Sequence, residues 1–506
     1  MNDSILTLIL LAPLVGAGLI ALLPDRGKLP AWIALLTSLV TFLFTLHLPA
    51  HFIHGQAGFQ FEINRPWIEL PPINYHVGVD GLSVWLVVLV GLLAPAGIVA
   101  SWNSIKERRK IFYLLFLVQQ TAMYGVFISL DLMVYYGFWE LSLVPMAILI
   151  AMYGRKEGAK AATKFFLFTF IPSAPLLVAI LWLYARTQTF NFVDLQAMIA
   201  SGALPVGPLY WVAFAFLFAF AVKVPLFPLH GWLADTFSEA PVAMAMVVAG
   251  KLGLYSMIRF HVGLFPAQAR QVAPLLIALA VIGILYGACL ALVQRDFWRL
   301  LAFAAMGHLS LIVLGIYGFT AAGSGGAIYQ ILNNEMIDAA LFVLLGALEV
   351  RYFTSQIAAY GGLAARLPQT VTLFVISSLA MIGLPLLNGF VGEFLILSSA
   401  FGAGHRGWAI GATLGVILSA AYMLWLIQRI FYGPTNDLTG GTSVPDLHLG
   451  EQLLLWPFAV LMLVMGVAPM LWINTIQDRN TPTVLNGSAA APQLSVTMKA
   501  SVEGQQ

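Results

Sequence analysis

Charge is what this sequence has least of. Asp, Glu, Lys and Arg make up 9% of its 506 residues, against roughly a quarter in an ordinary soluble domain. A soluble fold of this size needs a charged surface, so that class is excluded. The few charges nearly cancel, to a net +2, which leaves no field to attract nucleic acid. Cysteine is almost missing too: Cys289 stands alone inside an apolar run. No intramolecular disulfide and no cysteine-based cluster or zinc site can be built from it. P-loop, HExxH and CxxC motifs are absent. Gly402-Ala-Gly404-His-Arg-Gly407 spells G-x-G-x-x-G, but it follows an apolar helix rather than a strand and is a chance match.

In place of charge there is apolar surface. Hydrophobic residues reach 60% and mean hydropathy is +0.90. Apolar runs of about twenty residues recur, long enough to cross a hydrocarbon core of roughly 30 Å as helices. They do not alternate as the strands of a membrane barrel do. The pattern predicts an all-α polytopic membrane protein of about 14 spans, at 4–23, 30–49, 80–101, 111–129, 132–153, 161–185, 208–229, 241–262, 272–293, 298–317, 325–349, 369–399, 408–431 and 452–474. The first run follows Asp3, with no basic flank and no cleavage site, so it reads as a retained span. Residues 50–79 and 433–449 read as loops, Phe190–Ala200 as a short amphipathic helix on the membrane surface, and the Ser/Ala/Gln-rich stretch from about Asn480 as a mobile tail.

Fourteen spans put both termini on one side. Loops on the opposite side then carry fifteen Lys and Arg, and the termini side seven, Arg259 among them. By the positive-inside rule both termini face away from the cytoplasm. Of the 24 basic residues, only Lys223 and Lys251 are left inside spans.

A charge at mid-span costs roughly 2.5–3.5 kcal/mol on insertion scales and persists where it pairs or lines a wet cavity. This chain holds Glu140 in GFWELSLVP, Lys223 in FAVKVPLFP, Lys251 in VAGKLGLY, His308 in AMGHLSL, Glu335 and Asp338 in LNNEMIDAA, and Glu393 in GFVGEFLIL. One such group alone reads equally well as a satisfied polar contact that fixes helix packing. Spread through both halves of one chain, they point to a path for protons or a similar small cation.

Two spans are interrupted. One reads Lys223-Val-Pro225-Leu-Phe-Pro228, the other Pro385-Leu-Leu-Asn388-Gly389 with Glu393 just beyond. Proline removes a donor and clashes with the preceding turn, and the freed carbonyls must be covered by protein or water. Titratable groups beside matching breaks in two halves point to inverted repeats. The expected organisation is a three-helix segment (1–110), a first five-helix repeat (111–262), a second (272–431), a C-terminal helix (450–475) and a tail (476–506). Glu140 is the expected carboxylate partner of Lys223.

Several stretches carry a resemblance: VDGLS (79–83), FWELSLVPM (138–146), AATKFF (161–166), FAVKVPLFPLHGWLADTFSEAP (220–241), AGKLGLY (249–255), RLLAFAAMGHLSL (299–311) and NGFVGEF (388–394). Over roughly residues 5–475 the chain resembles the antiporter-like subunit M family of respiratory NADH:quinone oxidoreductase, complex I. It is similar, more widely, to subunits of multisubunit sodium/proton antiporters and membrane-bound hydrogenases. Glu393 favours subunit M, since the sister subunits L and N carry lysine there.

The resemblance implies fourteen helices in two inverted five-helix repeats, with the seventh and twelfth helices broken at Pro225 and Pro228 and at Pro385 and Gly389. It implies proton transfer through Glu140, Lys223, Lys251, His308 and Glu393, with Asn334, Glu335, Asp338 and His230 as candidate relays. It implies no cofactor in this chain, with NADH, FMN, iron–sulfur clusters and quinone held by partner subunits. The partners are then antiporter-like subunits L and N and small helical subunits, in a bacterial inner membrane. The sequence departs from the family where Asn334 replaces a histidine, and where Ala234 and Phe237 interrupt the usual P-D-A-H-S-x-A-P. An amide cannot take up and release a proton near neutral pH. Three readings stay open at this point: a proton-pumping subunit of complex I, a cation/proton antiporter subunit, and a scaffold that does not conduct.

Overall fold

A computed structural model describes residues 4–248, 251–435, 439 and 444–477. The expected tail and residues 436–438 and 440–443 of the expected 433–449 loop lie outside the described residues. Each apolar run folds as a helix, because lipid supplies no partner for a peptide N–H or C=O and a helix satisfies both within the run.

The helices are α1 (Ile5–Leu22), α2 (Leu29–Ala50), α3 (Val84–Ser101), α4 (Arg109–Ile128), α5 (Leu132–Leu141), α6 (Leu143–Tyr153), α7 (Gly158–Thr187), α8 (Phe192–Ala200) and α9 (Val206–Lys223). After them come α10 (Leu233–Glu239), α11 (Val242–Val248), α12 (Lys251–Ser256), α13 (Pro266–Val293), α14 (Phe297–Tyr317), α15 (Ala321–Tyr352), α16 (Pro368–Met381), α17 (Asn388–Gly402) and α18 (Arg406–Ile427). Helices Leu449–Val467 and Met470–Ile476 close the described chain. Among the described residues, 13 helices are long and apolar enough to cross a membrane. The remaining expected span, 369–399, is two half-length helices, α16 and α17, on either side of a break.

Burial sorts the helices into a centre and a rim. The apolar window of α15 is wholly buried and that of α14 is 94% buried, whereas α2 and Leu449–Val467 are 33% and 28% buried. Rim helices turn apolar side chains outward: Val15, Leu43, Val178, Trp211, Ile417 and Leu453 are between 60 and 68% exposed. In lipid such a surface carries no penalty, so the multi-pass membrane character is visible in the packing as well as in the hydropathy.

Three expectations are revised. The 50–79 loop contains an antiparallel hairpin, β1 (Gln60–Ile68) with β2 (Ile73–Val79). Register shifts at Gln60/Ile63 and Pro66/Ile68 break the two-residue alternation that marks a strand, and Pro66 is tolerated because β1 is an edge. Val77 and Val79 are fully buried, and Leu130 N donates to His76 O at 2.8 Å, tying the hairpin to the start of α5. Arg259, counted above among loop residues, is 2% exposed within the π-helical segment Met257–Val262, where Asp80 neutralises it. The basic residues then stand fifteen against six, the earlier seven less Arg259. The span holding Glu140 is also interrupted: α5 ends at Leu141 and α6 starts at Leu143, turning at Ser142. The expected surface helix is present as α8, with Phe192 and Leu195 buried and the Asn191 side chain accepting from Val193 N at 2.9 Å.

Candidate functional site

The first break sits at the end of α9. Pro225 and Pro228 offer no backbone N–H, so the helix stops and leaves carbonyls without intrahelical donors. Protein covers them: Leu226 N donates to Ala221 O at 3.0 Å, and the Trp232 indole donates to Val222 O at 3.0 Å. Lys223, the last residue of α9, is 6% exposed. Its Nζ lies 5.5 Å from the Trp139 ring centre and 5.4 Å from that of Phe165, within the range of cation–π attraction. Among the described residues it makes no hydrogen bond and no ion pair. Glu140, next to Trp139 in the last turn of α5, acts on Lys223 through its charge across a distance wider than a salt bridge. One Glu140 carboxylate oxygen, Oε1, is buried without a hydrogen-bond partner among the described residues. His230 lies in the same break, half-buried, stacked on Phe227 at 5.8 Å and edge-on to Tyr286 at 5.3 Å, with Nδ1 unpartnered among the described residues.

The centre is a charge cluster between α12 and α15. Lys251 pairs with Glu335 and lies 3.5 Å from Asp338 Oδ2. Asn334 Nδ2 donates to that same oxygen at 3.0 Å. All four residues are at most 4% exposed. Asp338 lies four residues beyond Asn334 and three beyond Glu335, the two spacings that make helix side chains neighbours, so it is the member both can reach. With both carboxylates ionised the cluster is net negative in a low dielectric, and one added proton neutralises it. Such a site responds strongly to the arrival or loss of a single proton.

The second break lies between α16 and α17. Asn333 Nδ2 donates to Asn388 O at 2.9 Å and Asn388 Nδ2 returns a bond to Asn333 O at 3.4 Å, which clamps the start of α17 onto α15. Gly389 packs against the Ala380 carbonyl, where a side chain has no room. Pro385 is exposed at the turn. One turn into α17, Glu393 is 4% exposed, and its Oε1 stands 3.4 Å from His308 Nδ1 on α14. His308 is in turn an electrostatic neighbour of Asp338. The structure thus brings Lys251, Glu335, Asp338 and Asn334 into contact, brings His308 to Glu393, and leaves Lys223 and Glu140 as electrostatic neighbours.

Some buried groups escape a reading of the sequence. Arg259 holds Asp80 with two bonds, 2.8 and 2.5 Å, and its Nε lies 3.3 Å from the Tyr255 hydroxyl. His261 Nδ1 is 2.8 Å from the Tyr317 hydroxyl. On α10, Asp235 accepts from Lys164 at 2.6 Å and from Arg299 at 3.2 Å. Burial raises the Asp235 pKa, and the two cations more than offset this, so it lies below the usual carboxylate value. The signal was present: Asp80, Lys164, Asp235 and Arg299 all fall inside the family stretches quoted above. Phe237, where the family pattern has a polar residue, is buried edge-on to Phe342 at 5.1 Å.

An apolar bundle with buried charges beside two interrupted helices defines a multi-pass membrane protein of the antiporter-like class. Residues 129–420 match the NADH:quinone oxidoreductase/Mrp antiporter transmembrane family. NADH-quinone oxidoreductase subunit M of Rhodobacter capsulatus is 37% identical over 493 residues, 94% of this chain and 95% of that one. NADH-ubiquinone oxidoreductase chain 4 of Marchantia polymorpha is 34% identical, with 95% and 97% covered. A chain of respiratory complex I from Thermus thermophilus superposes with a TM-score of 0.84 at 32% identity, over 96% of this chain and all of that one. A chain of the Mrp complex from Dietzia, at 20% identity and a TM-score of 0.82 over 95% and 97% of the two chains, shares the fold alone. The chain belongs to the subunit M family of NADH-quinone oxidoreductase.

Proposed function

We propose that this chain is a proton-translocating subunit in the membrane arm of NADH:quinone oxidoreductase, coupling quinone reduction in partner subunits to proton movement. Lys223 is the pumping lysine and Glu140 the carboxylate whose charge tunes it. Lys251, with Glu335 and Asp338, is the central relay, and Asn334 orients Asp338 rather than carrying a proton. His308 and Glu393 form the terminal pair. His230 is a candidate entry group at the first break. The neighbours in this reading are antiporter-like subunits L and N and small helical subunits. NADH, FMN, iron–sulfur clusters and quinone belong to other partner subunits of the complex, while this chain holds no cofactor and performs no redox step. The membrane is a bacterial inner membrane, with both termini away from the cytoplasm and two five-helix repeats facing each other across Lys251.

One observation carries the reading. A buried lysine shared by two carboxylates lies in the bundle, and an interrupted helix on each side presents a further ionisable group, Lys223 on one and Glu393 on the other. Charges this costly to bury make sense where hydration and proton exchange reach them.

The test uses the whole complex in liposomes. Lys223→Ala and Glu140→Ala are expected to assemble and to lower the proton-to-electron ratio. An unchanged ratio in both would leave a scaffold. A pumping rate that follows sodium concentration would move the chain to the cation/proton antiporter reading.

A further inference from the structure

His308 has one more ring nitrogen than Glu393 can use. Nδ1 faces the carboxylate at 3.4 Å, while Nε2 is buried and has no hydrogen-bond partner among the described residues. The residue also lines a small cavity where α13, α14 and α18 meet, walled by Ile284, Gly307, Gly415, Ser419 and Tyr422. Its volume is about 20 Å³, above the roughly 10–15 Å³ that one water requires.

A buried water also needs polar partners, and three are present. One is His308 Nε2. The second is the Tyr422 hydroxyl, which makes no hydrogen bond to protein among the described residues. The third is Ser419 Oγ, which donates to Val416 O at 2.7 Å and keeps its lone pairs for a further donor. Tyr422 also lies within electrostatic reach of Glu393 and Asp338.

Gly307 adds a steric argument. Glycine is unfavourable in a helix interior, and here packing does not demand it. A methyl group at Gly307 would meet nothing nearer than Ile284 O, at 3.7 Å. What the glycine leaves is the space itself.

We infer that this cavity is a water site, and that Tyr422 and Ser419 are positioning residues that hold the water on His308 Nε2. The inference rests on the proton-transfer reading above. When Glu393 passes its proton to Nδ1, the carboxyl O–H bond breaks, an N–H bond forms, and the ring becomes an imidazolium with two N–H donors. The new carboxylate accepts one of them. The water accepts the other, so the charged ring is never left with an unsatisfied donor. On return of the proton to Glu393 the ring is neutral again.

Two variants test the site without removing the relay. Gly307→Ala fills the cavity and improves helix propensity. Tyr422→Phe removes one partner of the water and keeps the ring. Both are compared with Glu393→Gln in the assembled complex in liposomes, with a pH dye following translocation in H₂O and D₂O. Maps of the wild-type and Gly307→Ala complexes at water-resolving resolution complete the set. The expected result is one water on His308 Nε2 in the wild type and none in Gly307→Ala. Pumping falls roughly tenfold in both variants, the worth of one hydrogen bond to a charged group, with assembly unchanged and a larger solvent isotope effect. A dry wild-type cavity overturns the inference and leaves the transfer reading standing. Wild-type pumping by both variants beside a defective Glu393→Gln does the same. Normal pumping by Glu393→Gln removes the transfer reading, and this inference with it.

Discussion

Asn334 donates from Nδ2 to Asp338 Oδ2 at 3.0 Å, and that oxygen is also 3.5 Å from Lys251 Nζ. The residue that departs from the family pattern is therefore wired into the central cluster as a donor. An amide relays no proton, but it fixes the carboxylate that can. Asn334→His, whose ring N–H can donate to the same oxygen, is expected to pump within about twofold of wild type. Asn334→Leu keeps the branched side-chain shape, loses the donor, and is expected to slow pumping roughly tenfold. Proton uptake by reconstituted complex measures both. Equal loss in the two variants would show that amide geometry, not donation, is what the site requires.

Arg259 and Asp80 make the most enclosed ion pair of the described chain, at 2% and 1% exposure. Removing one partner of a buried pair costs about 3–5 kcal/mol, because the other charge is stranded. Asp80→Asn keeps an acceptor for Leu82 N and Ser83 N, which the carboxylate now receives at 3.1 and 3.2 Å. It strands Arg259, so the complex is expected to assemble poorly. Asp80→Asn combined with Arg259→Met removes the stranded charge and is expected to recover most of the melting temperature. If the double variant melts no higher than the single one, the pair holds the fold by something other than charge compensation.

What could be read in advance follows from how rare each signal is. A lysine inside an apolar run stands out, so the burial of Lys223 and Lys251 in helices was legible, and so were the breaks at Pro225 and at Pro385–Gly389. The contacts of those groups were not. Lys251 meets Glu335 and Asp338 from a helix more than eighty positions away, while the expected pair at a similar separation, Lys223 with Glu140, is a through-space neighbour. Pairing across helices is a packing outcome that no local period encodes. Arg259 was misplaced because it sits at the end of an apolar run, where a loop residue looks the same until Asp80 is found against it. The hairpin was hidden because two bulges cancel the alternation of β1.

The Asp235 cluster gives a pH prediction outside the spans. Burial pushes its pKa up, Lys164 and Arg299 pull it down further, and the net value is below the ordinary one. A carboxyl lowered on folding stabilises fully above its unfolded pKa, about 4. That contribution is lost as pH falls through the lower folded value. Asp235 and Lys164 are more than a third exposed, so solvent and salt weaken the effect. Asp235→Asn is therefore expected to melt slightly below wild type at pH 7, with the difference shrinking toward pH 3 and in high salt. A difference independent of both would mean that the carboxylate acts through packing rather than charge.

Gly383 tests whether the position of Glu393 matters. Its φ is +71°, and a Cβ there would overlap the Glu393 carboxylate. Gly383→Ala thus does two things: it strains the backbone by about 1–2 kcal/mol and it pushes the carboxylate away from His308. Gly404 separates the two effects. It also has a positive φ, +90°, but a Cβ would meet nothing within 4 Å. Gly404→Ala is expected to lower the melting temperature slightly and to pump normally. Gly383→Ala is expected to show a similar melting loss and a further drop in pumping of about tenfold or more, since its ionisable pair is separated. Equal pumping by the two variants would assign the effect to backbone strain alone and would separate Glu393 from the proton path.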